Sequence, residues 1–341
     1  ITVLSALATT FSVAPPASPT TLIVQPANAF QEQCTPEAKD ALYKSFRNSF
    51  QTDLAKAYEA ATKYVACPEP PDLPEDQKKI INYFKRWCTA YEQALRKTRL
   101  RQLLYNEKKY PEAYSLGKQI LASEPDDLEV LIDLGANCYM SPQNPQLTAA
   151  CIQYATKALR LLESGKTLDD WSPLGSKDAA IAYLNYSIGA LTLQTEPANA
   201  LKHLLKAAQF ETRFKKSPYT YAMIAQAYEA GPYATQSEAY KTRISGPPEG
   251  PETRLALANI NQLVDRMIDA LARAVALAGD DPKFNKPKVA WMGHLSDFYK
   301  YRLPSDTRMN EMINGILSKP LPPEPTPITS LPSSTPASKP E

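Results

Sequence analysis

A short pattern of small and apolar residues recurs along the sequence at offsets of 0, +4 and +7. The stretch PEAYSLGKQILASEPDD (111–127) is similar to KAYEAATKYVACPEPPD (56–72), which carries the same offsets. Residues with this spacing lie on one face of an α-helix, where small side chains allow a neighbouring helix to approach closely. The chain is therefore expected to fold as packed helices. The four copies are Ala57, Ala61 and Tyr64; Ala113, Gly117 and Ile120; Cys151, Ala155 and Ala158; and Ala200, Leu204 and Ala207.

A second pattern, with offsets of 0, +3, +4 and +7, alternates with the first. The alternation predicts a helix A, a turn and a helix B, repeated along the chain. One such hairpin cannot bury its apolar face alone, whereas stacked hairpins form a continuous core. The copies of the second pattern are Leu131, Leu134, Gly135 and Cys138; Asn185, Ile188, Gly189 and Thr192; and Tyr221, Ile224, Ala225 and Tyr228.

The composition between the two ends of the chain also favours an all-α fold. This part is rich in Ala, Leu, Lys, Glu and Gln, which are good helix formers. Short breaks such as SEPDD, QTEPAN and SGPPEGPE contain Pro, which stops or starts a helix. We predict helix hairpins over 36–67, 75–123, 126–163, 179–210 and 218–278, followed by helices over 286–301 and 305–318.

The paired patterns resemble the tetratricopeptide-repeat (TPR) family. Its 34-residue unit carries Leu-Gly and Tyr on helix A, Ala and an aromatic residue on helix B, and a closing Pro. Leu100 and Leu134 are 34 residues apart, and Pro125 falls at the closing position. Gly117 stands where the aromatic residue is expected, and insertions lengthen the unit at 140–147, 163–178 and 231–254. The resemblance covers roughly residues 36–280 and implies a right-handed α-solenoid of antiparallel helix hairpins. An irregular helical bundle is the alternative.

The two ends of the chain differ in composition from the middle. Residues 1–29 are interpreted as a signal peptide, because an apolar stretch precedes Ala27-Asn28-Ala29, the small-x-small pattern of a cleavage site. This predicts export to the periplasm or cell envelope of a bacterium; a disordered arm on a cytoplasmic protein is the alternative. Residues 319–341 are rich in Pro, Ser and Thr and are predicted to form a disordered tail. Residues 30–318 remain as the helical domain. No later stretch approaches the roughly 20 apolar residues of a membrane span.

The cysteines allow two disulfides if the chain is exported. Cys34 opens the first predicted helix and Cys67 closes the second, so an antiparallel hairpin brings them to the same end. Cys138 and Cys151 are placed in the same way around a later turn, and Cys88 is left unpaired. We therefore predict the pairs Cys34–Cys67 and Cys138–Cys151. The alternative is that all five cysteines are buried apolar residues.

No motif in the sequence points to catalysis, a metal or a cofactor. His203 and His294 lack Cys, Asp or Glu at ligand spacing. The Gly165-Lys-Thr sequence lacks the upstream glycine and the preceding strand of a phosphate-binding loop, and a helix end at Gly165 explains it. The chain has 38 Lys+Arg and 36 Asp+Glu, a balance that argues against nucleic-acid binding. We expect a non-enzymatic protein with no cofactor.

Tyrosine is abundant, with 19 residues against nine Phe. The TPR resemblance implies that some of them line the inner, concave surface of the stack, where they would bind a peptide or protein partner. The alternative is that these tyrosines only pack between helices. We therefore predict a protein-binding scaffold or assembly factor. A glycan-binding protein or envelope enzyme, suggested by Asp169-Asp170-Trp171, and a cytoplasmic TPR regulator are the other hypotheses. The residues predicted to bind are Tyr105, Tyr139, Tyr183, Tyr186, Tyr219 and Gln226.

Overall fold

The computed structural model describes residues 34–140, 145–244, 250–303, 305 and 307–330. Within these ranges the regular structure is helical throughout and contains no strand. The prediction of an all-α protein is therefore confirmed. The predicted signal peptide (1–29) and residues 331–341 of the predicted tail lie outside the described residues. The chain divides into two compact units between Ala94 and Leu95.

The first unit is built on a helix hairpin and the beginning of a long third helix. Helix α1 spans Pro36–Ser49, α2 spans Leu54–Ala66 and α3 spans Glu75–Arg101. Side chains cap the first two helices: the Thr35 hydroxyl accepts a hydrogen bond from the Ala38 N–H (3.2 Å), and the Asp53 carboxylate accepts one from the Lys56 N–H (3.0 Å). The core of this unit includes Phe46, Phe84 and the three pattern residues Ala57, Ala61 and Tyr64.

The second unit contains the remaining helices, most of which begin at a proline or after a capping Asp or Ser. A π-helical turn, Gln102–Asn106, continues α3. The α-helices that follow are α4 (Tyr110–Ser123), α5 (Leu128–Ala136), α6 (Pro145–Glu163), α7 (Lys177–Thr192), α8 (Pro197–Gln209), α9 (Pro218–Tyr228), α10 (Ala234–Ile244), α11 (Pro251–Ala278), α12 (Asn285–Arg302) and α13 (Met309–Gly315). Short 3₁₀ turns lie at Cys138–Met140, Pro282–Phe284 and Ile316–Ser318.

The predicted hairpin over 218–278 contains three helices rather than two. A π-helical turn, Glu229–Tyr233, joins α9 directly to α10. Pro232 lies inside this turn and has no N–H to continue the α-helical bonding, and the Ala234 N–H bonds to the Glu229 carbonyl five residues back. The region predicted as an insertion therefore contributes helix α10, and α9 packs mainly against α11.

Neighbouring helices of the second unit pack through the two recurring patterns. Helix α5 packs against α6, and α7 packs against α8. A Cβ atom added to Gly135 on α5 would lie 2.7 Å from the Cα atom of Ala155 on α6. A Cβ atom added to Gly189 on α7 would lie 2.7 Å from the Cγ atom of Leu204 on α8. The glycines of one pattern therefore meet the central residues of the other, which explains why the patterns alternate.

Two disulfides link residues at the ends of adjacent elements. Cys34 and Cys67 are bonded across the α1–α2 hairpin, and Cys138 and Cys151 are bonded between the 3₁₀ turn after α5 and helix α6. The Cα atoms of each pair are 5.5 Å apart. These are the two pairings expected from the sequence, and Cys88 has a free thiol. The second disulfide fixes the position of the 3₁₀ turn that carries Tyr139.

Candidate functional site

Three of the six predicted binding residues come together on the second unit. Tyr139 and Tyr186 contact each other edge to face, with ring centroids 5.0 Å apart. Tyr183 lies one helical turn before Tyr186 on α7, so both rings project from the same side of that helix. All three tyrosines are half-buried. The structure therefore places a partly exposed group of tyrosine rings where α7 meets the turn after α5.

Phe214 completes this group and was not among the predicted residues. Its ring stacks on Tyr186 with centroids 4.0 Å apart, and it meets Tyr183 edge to face at 4.7 Å. Phe214 is buried, and it contacts Tyr139 at 6.1 Å. Tyr139, Tyr183, Tyr186 and Phe214 are called the aromatic cluster below. Such edge-to-face and offset contacts are favourable beyond the area they bury, so the cluster holds its rings in place.

Arg213 covers the aromatic cluster with its guanidinium group. The central carbon of this group lies 4.9 Å from the ring centroid of Tyr183, 5.1 Å from that of Phe214 and 5.7 Å from that of Tyr139. Burial against the rings lowers the pKa of Arg213 from its usual value. Arg213 is an exposed residue. Among the described residues no carboxylate forms an ion pair with its guanidinium group. A guanidinium whose face lies on rings still has N–H groups along its edge, which can bind a carboxylate.

The loop between α8 and α9 positions Arg213 and Phe214. The Thr212 hydroxyl accepts a hydrogen bond from the Phe214 N–H (3.3 Å), and the Tyr221 hydroxyl donates to the Lys215 carbonyl (2.9 Å). These bonds tie the loop to the start of α9. Sequence patterns of helix faces carry no information about a loop of this kind, and for this reason they missed both residues.

Tyr105 lies in a different environment, a partly buried ion network between the end of α3 and helix α5. Its hydroxyl donates to Asp133 Oδ1 (2.9 Å), and Arg101 Nε donates to Asp133 Oδ2 (2.8 Å). Glu129 accepts from Arg101 Nη1 (3.1 Å), and Lys97 pairs with Asp127 and Glu129. Tyr105 therefore has a partner within the fold and does not join the aromatic cluster.

The Asp133 carboxylate at the centre of this network has an unusual pKa. Asp133 is 3% exposed, and this burial raises its pKa to about 6, even though Arg101 and Tyr105 hydrogen-bond to the charged form. Burial likewise raises the pKa of Tyr105. Both oxygens of the Asp133 carboxylate have hydrogen-bond partners, so we interpret the network as a structural link between α3 and α5.

The remaining predicted residues lie on helix α9. Tyr219 is 48% exposed, and its ring contacts Phe284 and Trp291, each at 5.6 Å. Gln226 is exposed two turns further along the same helix. Among the described residues, the Tyr219 ring contacts Phe284 and Trp291 rather than the aromatic cluster, so the six predicted residues form more than one surface.

Several of the residues considered for chemistry have contacts within the fold. The His203 ring nitrogen Nδ1 lies 2.8 Å from Asn185 Oδ1, and burial lowers the pKa of His203. In the part of the chain that the structure describes, no three His, Cys, Asp or Glu residues are grouped to hold a metal ion. Gly165 has a φ of +94° just after α6, as expected for a helix end. Asp170 accepts a hydrogen bond from the Ser172 N–H within its own loop (2.9 Å), and Trp171 packs on the core.

The fold and the site together define an all-α protein of packed helix pairs with a partly exposed aromatic cluster and an arginine that has no acidic partner among the described residues. Comparisons with protein-family models, curated proteins and solved structures find no match. None of the helices in the described ranges has the length and apolar character to cross a membrane.

Proposed function

We propose that this protein is a non-catalytic scaffold or assembly factor that binds a protein or peptide through the aromatic cluster and Arg213. The observation that carries the proposal is the combination of half-buried tyrosines with a guanidinium that has no acidic partner in the described chain. Tyrosine and arginine dominate the energetics of protein interfaces, because they offer large rigid surfaces together with hydrogen-bonding groups. The rings are already packed in place, so little side-chain entropy is lost on binding.

The chemistry of the cluster indicates what its partner presents. The exposed ring faces and edges favour an apolar or aromatic side chain. The edge of the Arg213 guanidinium favours a carboxylate, which it can bind through two parallel hydrogen bonds. We therefore propose a partner segment with an Asp, a Glu or a C-terminal carboxylate next to an apolar side chain.

We further propose that the helices of the second unit are stacked as a divergent TPR-like α-solenoid. The alternation of the two patterns supports this arrangement, because each helix pair can use the next one to bury its small-residue face. Contacts between successive pairs support it as well: a Cβ atom added to Gly117 on α4 would lie 2.6 Å from Leu134 Cδ1 on α5, and one added to Gly135 on α5 would lie 2.8 Å from Leu184 Cδ2 on α7. In a solenoid of this kind the tyrosines of helix α7 would lie on the concave surface.

The proposed location is the periplasm or cell envelope. The apolar stretch before Ala29 supports export. The two disulfides support it as well, because such bonds persist in oxidising compartments and are rare in the cytoplasm.

A capture experiment with matched variants tests the proposed function. The full chain is used as crosslinkable bait in envelope fractions, as wild type, as Tyr183→Ala/Tyr186→Ala and as Arg213→Glu. Tyr301→Ala is the control, because Tyr301 is 55% exposed but lies on α12 outside the cluster. Circular dichroism confirms that each bait is folded. We expect one partner that the wild type and the control capture and that both cluster variants lose.

The capture experiment also has an outcome that would contradict the proposed function. If both folded cluster variants capture the same proteins in the same amounts as the wild type, the aromatic cluster is only a packing feature and the proposed binding surface is wrong.

A further inference from the structure

Residues 319–330 lie along helix α11 and bind to a row of its side chains. Four side chains of α11 contact the main chain of this segment, and we call them the donor row: Asn259, Gln262, Arg266 and Arg273. The spacing of these residues places them on one side of the helix. The composition of the segment predicts disorder, but in the structure its main chain has defined partners on α11 from Asn259 to Arg273.

The main chain of the segment presents its carbonyl groups in a regular way. The donor row contacts the carbonyl oxygens of Pro320 (2.8 Å), Pro323 (2.8 Å), Thr326 (3.3 Å) and Ile328 (2.9 Å). The first three are three residues apart, which is the period of a polyproline II helix, so their carbonyls face the same side. Pro322, Pro325 and Ile328 are half-buried at the same period of three. One edge of an extended, proline-rich chain therefore faces α11.

Arg273 shows that the donor row is a built site. Its side chain is 5% exposed, and Asp269 holds the guanidinium with a hydrogen bond from Nε (2.7 Å). Its Nη2 donates to the carbonyls of both Lys319 (3.0 Å) and Pro320 (2.8 Å), and more weakly to Asp269 Oδ2 (3.4 Å). A buried guanidinium needs all its donors satisfied. Here two main-chain carbonyls of the segment supply acceptors for this group.

Near the other end of the segment, Asn259 both donates a hydrogen bond to the main chain of Ile328 and accepts one from it. Its Nδ2 donates to the Ile328 carbonyl (2.9 Å), and its Oδ1 accepts from the Ile328 N–H (2.7 Å). This pairing imitates a main-chain bridge and requires a residue other than proline at that position. Between the two ends, the contacts go to carbonyls alone, which every residue has.

We propose that the donor row of α11 is a binding site for extended, proline-rich polypeptide of a partner, and that residues 319–330 are its internal occupant, which the partner must displace. The donor row contacts the main chain, and Glu324, Thr326 and Thr329 are exposed, so recognition depends on the extended conformation rather than on these side chains. Proline fixes that conformation before binding and so lowers the entropy cost. The inference does not depend on the function proposed for the aromatic cluster.

The test uses the full chain and labelled synthetic peptides. Leu321→Asp/Ile328→Asp weakens the binding of residues 319–330 and leaves the donor row unchanged, because Leu321 packs on the core and Ile328 is half-buried. The first probe is the peptide KPLPPEPTPITS, the sequence of residues 319–330. The second keeps its prolines but carries other residues in place of Lys, Glu, Thr and Ser. The third keeps those residues but has alanine in place of each proline. Fluorescence anisotropy gives the dissociation constants.

The weakened chain is expected to bind the first two peptides with similar affinity, about tenfold or more tightly than the wild type does. The peptide without prolines should bind about tenfold more weakly than the first. Adding Asn259→Ala/Arg266→Ala should abolish binding, whereas adding Arg254→Ala, an exposed arginine of the same helix, should not. If the second peptide fails to bind, α11 recognises only the protein's own segment. If no peptide binds, the site does not accept a partner. Either result overturns the proposal.

A measurement on the wild type covers the case in which the weakened chain does not fold. In the free protein the Ile328 N–H donates to Asn259 Oδ1 (2.7 Å), so we expect it to exchange slowly with solvent. A large excess of unlabelled KPLPPEPTPITS should increase the exchange rate of Ile328 in the intact chain, because the peptide displaces the segment. An unchanged rate at saturating peptide contradicts the proposal.

Discussion

At the residue scale, Asp133 illustrates how burial decides the behaviour of a charged group. Its carboxylate has a cation and a tyrosine hydroxyl within hydrogen-bonding distance, yet its pKa is raised to about 6 because the site is shielded from water. The folded protein therefore binds a proton at this site more tightly than the unfolded chain does. The stability that this proton contributes is fully present below the unfolded pKa of 3.8 and is lost as the pH rises through about 6.

We therefore predict that Asp133→Asn changes the pH dependence of stability. Relative to this variant, the wild type should lose up to about 3 kcal/mol of unfolding free energy between pH 4 and pH 7. Urea unfolding at each pH measures the difference. The control is Asp126→Asn, because Asp126 is exposed and its pKa is lowered by Lys157, which gives the opposite sign. A wild type and an Asp133→Asn variant with parallel pH profiles would show that the carboxylate titrates normally.

At the element scale, the contacts of glycines determine how closely the helices approach. Gly135 on α5 faces the backbone of α6, which cannot move aside as a flexible side chain can. Gly293 on α12 has no atom within 4 Å of the position where a Cβ would lie. Gly135 and Gly293 thus differ in whether another helix lies against the position of the missing Cβ atom.

This difference predicts opposite effects of the same substitution. Gly135→Ala should destabilise the protein by about 1–3 kcal/mol, because its Cβ overlaps the Ala155 backbone. Gly293→Ala should stabilise it by about 0.5–1 kcal/mol, because alanine is the better helix former. Chemical unfolding of both variants gives the two values. Effects of equal sign and size would contradict the helix contact described for α5 and α6.

The disulfides permit a second prediction for single elements. Alkylation of the unfolded, unreduced protein should label one thiol, Cys88, and reduction should make all five cysteines reactive. Replacing Cys138 and Cys151 together by alanine should cost about 2–4 kcal/mol, because the unfolded chain gains conformational freedom. Mass spectrometry and thermal unfolding give these results. Labelling of three or more thiols before reduction would show that one of the bonds is absent.

At the scale of the whole molecule, the sequence predicted the features that depend on helix periodicity. The small-residue offsets gave the helices and the contacts between α5 and α6 and between α7 and α8. They did not predict α10, because Pro232 in a π-helical turn looks like a helix end. They also missed Phe214 and Arg213, which a loop positions, and the contacts of residues 319–330, whose partners are distant in sequence. Periodicity reports what a helix face needs, whereas these features depend on which segments meet in space.

The central claim is that the aromatic cluster is a surface for another protein, and photocrosslinking tests it most directly. A photoreactive phenylalanine derivative replaces Tyr183 in the full chain, and in a second chain it replaces Tyr301 as the exposed control. We predict a discrete crosslinked partner from position 183 that Arg213→Glu removes and that position 301 does not yield. The same products from both positions, or none from position 183 in the folded protein, would contradict the claim.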